Sequence, residues 1–291
     1  MTTRIDDLLA AGRTSSFEFF PPKTDAEEQT LEGTIDALEP LEPSFVSVTY
    51  RGGRESRQRT YDLVAHLQRR GRLVPMAHLI CVAHTRAELV EILEGYQEAG
   101  IVNLMALGGD PPTHEGAIVG ELTFASELVE LARSVGDFSI GVAAHPGGHP
   151  RSTTLASDRG YLAEKLEAAD FAVTQFLFEA DPWSELVEDL AARGMTKPVL
   201  PGIIPVTTLA SVPRMAQMGQ AVPDHQVAAL HAADAAGGAE AVRERGIELA
   251  TELCATLLER GVPGLHFYTL NRSTATREIY QRLGLGPAGT R

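Results

Sequence analysis

The chain is short of lysine, cysteine and tryptophan, and it has no long apolar run. Of 25 basic residues only Lys23, Lys165 and Lys197 are lysines, and 39 acidic residues bring the formal net charge to -14 at pH 7. A field of that sign repels nucleic acid and anionic membranes, which argues against a sequence-independent phosphate-backbone binder. The two cysteines, Cys81 and Cys254, lie far apart with no CxxC pair, so neither a disulfide framework nor a thiolate zinc site is supported. No stretch approaches the roughly 20 apolar residues of a membrane-spanning helix. The opening MTTRIDDLLAAGRTS places Asp6 and Asp7 where a signal peptide needs an apolar run, and the expectation is a soluble cytoplasmic protein. Neither GxGxxG nor a Walker A loop occurs, so the common nucleotide fingerprints are missing too.

What is there is ordinary enzyme composition, 44% apolar and 22% charged over 291 residues, enough to bury a large core. Eight short apolar runs punctuate it: 16–20, 45–50, 74–81, 101–107, 138–144, 172–178, 198–204 and 264–270. Most are continuous rather than alternating, which suits parallel strands covered on their outer face by helices. Amphipathic segments lie between them, beginning near Asp25, Ser56, Thr85, Glu121, Ser157, Asp181, Thr207 and Ala239, with a last one after Asn271. Thr85 and Glu88 have capping-box spacing, and Gly100 supplies a stop. Eight strand–helix units at roughly 36 residues each is the arithmetic of a single (β/α)8 TIM barrel spanning residues 1–291. A doubly wound sheet competes, but its usual glycine fingerprint is missing. The stretch 219–241 is expected to be a loop with a short helix near the barrel mouth.

In such a barrel, side chains at the C-terminal ends of strands converge on the active site. Glu18 stands between Phe17 and Phe19; if both rings pack under helices, alternation points Glu18 into the barrel. Loss of water there should raise its pKa and suit it to proton donation, although a buried ion pair is the competing reading. Asp110, in 107-LGGDPP-112, sits on a glycine loop that lets a ligand approach the backbone, or is simply solvated. Gln175, in TQFLF, offers a donor and an acceptor to an amide-rich heterocycle, or only a structural bond. His78, His145, His149 and His266 also fall at strand ends, but HPGGHP is not a helical ligand spacing, and no metal is expected. None of the three lysines lies in a strand run, which disfavours a Schiff base.

Segments FEFFPPK, FVSVTYRGG, MAHLIC, MALGGDPP, TQFLF, PGIIPV and HFYTLNR, in this order and spacing, resemble the methylenetetrahydrofolate reductase family over residues 14–285. The resemblance implies a TIM-barrel oxidoreductase that takes 5,10-methylenetetrahydrofolate to 5-methyltetrahydrofolate. It implies Glu18 as the general acid that opens the five-membered ring to a 5-iminium cation, and Asp110 as the carboxylate that binds the pterin. Gln175 would contact pterin or nicotinamide, and Thr49 and Arg272 fall where the family meets NADH or folate. Family positions around FAD correspond to Tyr50, His78, Gly109, Ala125, His149, Asp158 and Lys165, which could equally hold the phosphates and ribose of NADH.

The chain also departs from the family pattern. Gly108 replaces an arginine near the flavin, His145 a tyrosine, Phe124 a tyrosine, and Glu164 an arginine. Met215 replaces the aromatic that stacks on folate, and Ser211 its glutamine neighbour. Two cations lost near a pyrophosphate should weaken FAD, which leads to an expectation of direct hydride transfer from NADH without flavin. The FAD route is the alternative. A metal-dependent hydrolase and a non-catalytic folate-binding protein are the remoter ones. No arginine cluster suggests a 2′-phosphate site, which favours NADH over NADPH. Glu55 could help orient the nicotinamide or be a solvated loop residue. Oligomeric state is not legible, because amphipathic outer helices serve monomers and oligomers alike.

Overall fold

A computed structural model of the chain describes residues 2–50, 54–109 and 120–286, without the side chains of residues 54 and 55. Strands β1 (Thr14–Phe19), β2 (Phe45–Val48), β3 (Pro75–Ile80), β4 (Asn103–Leu107), β5 (Ser139–Ala144), β6 (Phe171–Leu177), β7 (Val199–Ile203) and β8 (Gly264–Tyr268) close into a barrel in sequence order. All neighbours are parallel, and β8 returns to β1 with Glu18 opposite Tyr268. The fold is a TIM barrel, and each expected apolar run became a strand.

Outer faces of the strands pack under helices α2 (Asp25–Leu38), α3 (Arg54–Arg70), α4 (Arg86–Glu98), α5 (Ala125–Val135), α6 (Leu155–Ala168) and α7 (Asp181–Ala192). Phe17 and Phe19 join Leu31, Ile35 and Leu38 of α2 in that outer core. The alternation of β1 therefore turns Ser16 and Glu18 inward. Thr85 and Glu88 form the capping box that their spacing predicts at the start of α4. A smaller cluster, built from Phe176, Phe178, Ile204, Val206 and Met215, lies under α8 (Val212–Gln217) and α9 (Asp224–Glu259). The last helix is α10 (Thr274–Leu283).

Two features depart from the sequence reading. The stretch 219–241 is mostly helix, because α9 starts at Asp224 and runs through the alanine-rich segment, broken only at Gly238 (φ 66°). Alanine has the highest helix propensity, so this segment is helical where a loop was expected. The second is a short unanticipated helix, α1 (Ile5–Ala11), laid across the N-terminal face of the barrel. Asn103 holds it there: its Oδ1 accepts from Ile5 N at 2.9 Å, and its Nδ2 donates to Thr3 O at 3.0 Å and Pro75 O at 3.3 Å. Ser139 Oγ accepts from Asp6 N at 3.0 Å. Ile5 then plugs an inner core of Phe45, Met76, Met105, Phe171, Val173 and Leu200.

Replacing Asn103 by Ala strands the buried Ile5 amide and frees α1. Asn103→Ala should cost about 2 kcal/mol of unfolding free energy, read from urea denaturation. A cost within experimental error would mean that α1 docks through apolar contact alone.

Candidate active site

The C-terminal ends of the strands gather the polar side chains. Glu18 is 6% exposed, and its Oε2 lies 3.3 Å from Ser47 Oγ and 3.4 Å from the Nε2 atoms of both His78 and His266. Ser16 Oγ closes the chain from below, 2.8 Å from His266 Nδ1. One carboxylate thus meets polar partners from β2, β3 and β8. Burial pushes its pKa up, but His78, His266 and Ser47 outweigh burial and hold it below the ordinary carboxylate value. This corrects the expectation of a raised pKa, which took desolvation without the partners that barrel closure supplies. Burial in turn holds the His78 imidazole below its usual value, the nearby Glu18 opposing. Tyr268, half-buried and near Glu18, is raised well above its ordinary value by desolvation, the Glu18 charge adding to it.

Backbone around Glu18 is clamped as well. Thr269 Oγ1 donates to Glu18 O at 2.6 Å, while Asn271 Oδ1 accepts from Phe20 N at 2.8 Å and its Nδ2 donates to Phe20 O at 2.9 Å. Leu270 and Asn271 take positive φ values of 50° and 57° to make this turn, an uncommon pair for residues with side chains. Arg272 follows on the exposed side of the turn. The sequence reading did not single out Thr269 or Asn271; the signal available was only that HFYTLNR continues past the strand.

The remaining candidates fall in two sectors of the same face. Thr49 is buried, with its Oγ1 lacking a hydrogen-bond partner, and next to it the Tyr50 hydroxyl lies 2.7 Å from His84 Nε2 with the two rings stacked. Burial pushes the Tyr50 phenol up to about 12. His84, which the sequence reading passed over, is buried and its pKa is lowered by that burial. In the other sector, His145 and His149 meet edge to face at 4.7 Å between ring centroids. Asp158 Oδ1 accepts from His149 N and Ser152 Oγ, both at 2.9 Å, and its Oδ2 lies 3.3 Å from Arg159. Lys165 Nζ donates to Ala143 O at 2.8 Å, and burial lowers its pKa to about 8.

Gly109 takes φ 83°, and a Cβ there would lie 2.5 Å from Val82 Cγ2, so only glycine fits where the loop begins. Ala125 opens α5 near Gly108. Asp110 lies outside the described residues, as does the Glu55 side chain. Gln175 is not idle: its Nε2 donates to Met218 O at 2.9 Å and its Oε1 accepts from Phe176 N at 3.0 Å, tying the end of α8 to β6. Met215, expected at the folate, is 1% exposed inside the cluster with Phe176 and Phe178, so its side chain presents no open face. No group of three His, Cys, Asp or Glu among the described residues could hold a metal ion. Nor is any described helix long and apolar enough to cross a membrane.

Residues 4–284 match the sequence profile of methylenetetrahydrofolate reductase. The chain belongs to the methylenetetrahydrofolate reductase family. It is 36% identical to a 5,10-methylenetetrahydrofolate reductase of Pectobacterium carotovorum, covering 94% of this chain and 90% of that one. The corresponding enzyme of Escherichia coli is 35% identical over 94% of this chain and 91% of its own. A Zea mays methylenetetrahydrofolate reductase (NADH) is 34% identical over 97% of this chain and 50% of its own longer one. Among solved structures, a Clostridium thermocellum protein described as binding two copies of 5-methyl-5,6,7,8-tetrahydrofolic acid superposes with a TM-score of 0.68. It covers 96% of this chain and 97% of that one at 13% identity, a likeness of fold. The family match and the named relatives make the chain an oxidoreductase.

One ionisation in the His145 sector has a readable consequence for stability. Burial, with His149 and Lys165 adding to it, lowers the His145 pKa from an ordinary 6.5 to about 4. Between those values the unfolded chain binds a proton that the folded chain does not, so stability falls as pH falls through that window. Thermal melts of His145→Gln should show a shallower loss than the parent between pH 6.5 and 4. Parallel profiles would place the acid sensitivity elsewhere.

Proposed function

We propose that this chain reduces 5,10-methylenetetrahydrofolate to 5-methyltetrahydrofolate with NADH, by direct hydride transfer and with Glu18 as the acid. The observation that carries the reading is the Glu18 carboxyl, buried within 3.4 Å of Ser47, His78 and His266. Glu18 protonates the ring nitrogen, the bond from that nitrogen to the methylene carbon breaks, and a 5-iminium cation remains. A hydride from the reduced nicotinamide then adds to that carbon, forming the methyl group and leaving NAD+. Partners that favour the carboxylate make protonated Glu18 a stronger acid, and once it has given its proton the anion stabilises the cation beside it. For transfer the two carbons must be held at about 3–3.5 Å. Asp110 takes the pterin in this reading. Thr49, Tyr50 and Arg272 line the nicotinamide and folate side, and Gln175 serves it when its bond to Met218 opens.

Flavin is not needed for this balance, and the residues fit it poorly. His145 is neutral at pH 7, Gly108 brings no side chain, and Glu164 places an exposed carboxylate beside Lys165. Gly109, Ala125, His149, Asp158 and Lys165 are then the residues around the phosphates and ribose of NADH, and His78 supports Glu18 from beneath. The Zea mays relative carries NADH in its name, in line with this donor. The second reading, hydride passage through bound FAD, rests on the same Lys165 and Asp158 sector.

Anaerobic NADH oxidation by flavin-stripped protein with methylenetetrahydrofolate should proceed at full rate without added FAD. Activity only after FAD addition, or stoichiometric FAD retention in equilibrium dialysis, would establish the flavin route instead. Glu18→Gln should lower kcat/KM by at least about 100-fold. Because the free carboxyl titrates below the ordinary range, the acid form is the minority at pH 7, and parental kcat/KM should fall as pH rises. A pH-independent kcat/KM in the parent would remove Glu18 from the acid role.

A further inference from the structure

Gly108 follows the end of β4, and a side chain from the next loop borders the place where its own side chain would start. A Cβ built at residue 108 would lie 3.6 Å from Arg151 Nη2, 3.7 Å from Thr123 O and 3.8 Å from Ala125 N. Arg151 follows His149 in the β5–α6 loop, and its own amide donates to His149 Nδ1 at 3.1 Å. Its side chain is exposed. The two aspartates of that sector are already paired with Arg159. Asp158 is shared by Arg159, Ser152 and the His149 amide, and Asp189 lies 3.4 Å from Arg159 Nε. No carboxylate among the described residues pairs with Arg151. In a chain with a formal net charge of -14, an exposed arginine beside Gly108, with Lys165 on the following helix, places two cations in one loop sector.

We propose that Arg151 is an anion-binding side chain for the adenosine diphosphate half of the dinucleotide, reaching over Gly108 to its pyrophosphate. The two positions adjoin, a Cβ at 108 lying in van der Waals contact with the guanidinium. A planar guanidinium presents paired donors to phosphate oxygens, and glycine beneath it lets the phosphates approach the backbone. Arg151 thus supplies from the loop after β5 a cation that residue 108 lacks. The inference rests on the proposed reductase reading. The same adenosine diphosphate group occurs in NADH and in FAD, and the test separates them.

The test titrates ADP-ribose, which carries that group without nicotinamide or flavin, into the parent and into Arg151→Gln. At low ionic strength the variant should bind about tenfold more weakly, and the gap should close as NaCl rises, since an exposed charge is screened. The variant should melt at the parental temperature. Parallel titrations with NADH and with FAD show whose adenosine diphosphate is held, the tenfold loss following the one that binds. Equal ADP-ribose affinities, or a gap that salt does not change, would overturn the role of Arg151 while parental NADH oxidation with methylenetetrahydrofolate leaves the reductase reading standing. Absence of that oxidation in the parent, with or without FAD, would overturn the reading and the seat with it.

Discussion

A carboxylate buried inside a closed barrel has to be matched by polar partners, and the top of this barrel is organised around that requirement. Glu18 finds Ser47, His78 and His266 on three other strands, and Ser16 supports His266 in turn. Removing a single partner from such a group leaves desolvation uncompensated, so the cluster acts as one unit. Barrel closure is what makes it possible, because β8 must return beside β1 to bring His266 next to Glu18. The chemistry and the topology are therefore not separable: an open sheet would leave the carboxylate without one of its imidazoles.

The strand ends carry the cost of this arrangement in their loops. Leu270 and Asn271 accept left-handed backbone so that Asn271 can bond both backbone groups of Phe20, and Gly109 accepts it where no Cβ fits. Strained residues of this kind persist only where surrounding bonds over-determine them. At the opposite face, α1 and Asn103 perform a different task, sealing the inner apolar core away from the site. That division, stability at the N-terminal face and chemistry at the C-terminal face, is the one TIM barrels follow in general.

Charge is distributed with the same logic. A strongly acidic chain repels polyanions, yet the β5–α6 loop carries Arg151, His145 and His149 and α6 carries Lys165, with Asp158 already committed to Arg159 and Ser152. Burial keeps His145 neutral and lowers Lys165 to about 8, so the sector is not crowded with full positive charges. That sector stands apart from the Glu18 cluster, whose carboxylate is closed in by Ser47, His78 and His266.

Strand number, order and nearly every strand position followed from the sequence alone, because a buried parallel strand must be a short continuous apolar run and its neighbours amphipathic. Glu18 facing inward was equally legible, since strand alternation acts between adjacent residues, and its motif together with the six other segments identified the family. Other features depended on contacts between residues far apart in the chain. The pKa direction of Glu18 was set by His78 and His266, 60 and 248 residues away. Met215 turned into the cluster under α8, Gln175 was drawn to Met218, and Arg151 came to stand over Gly108. Local patterns specify which residues face inward; only closure of the barrel specifies which of them meet, and electrostatics depends on the meeting.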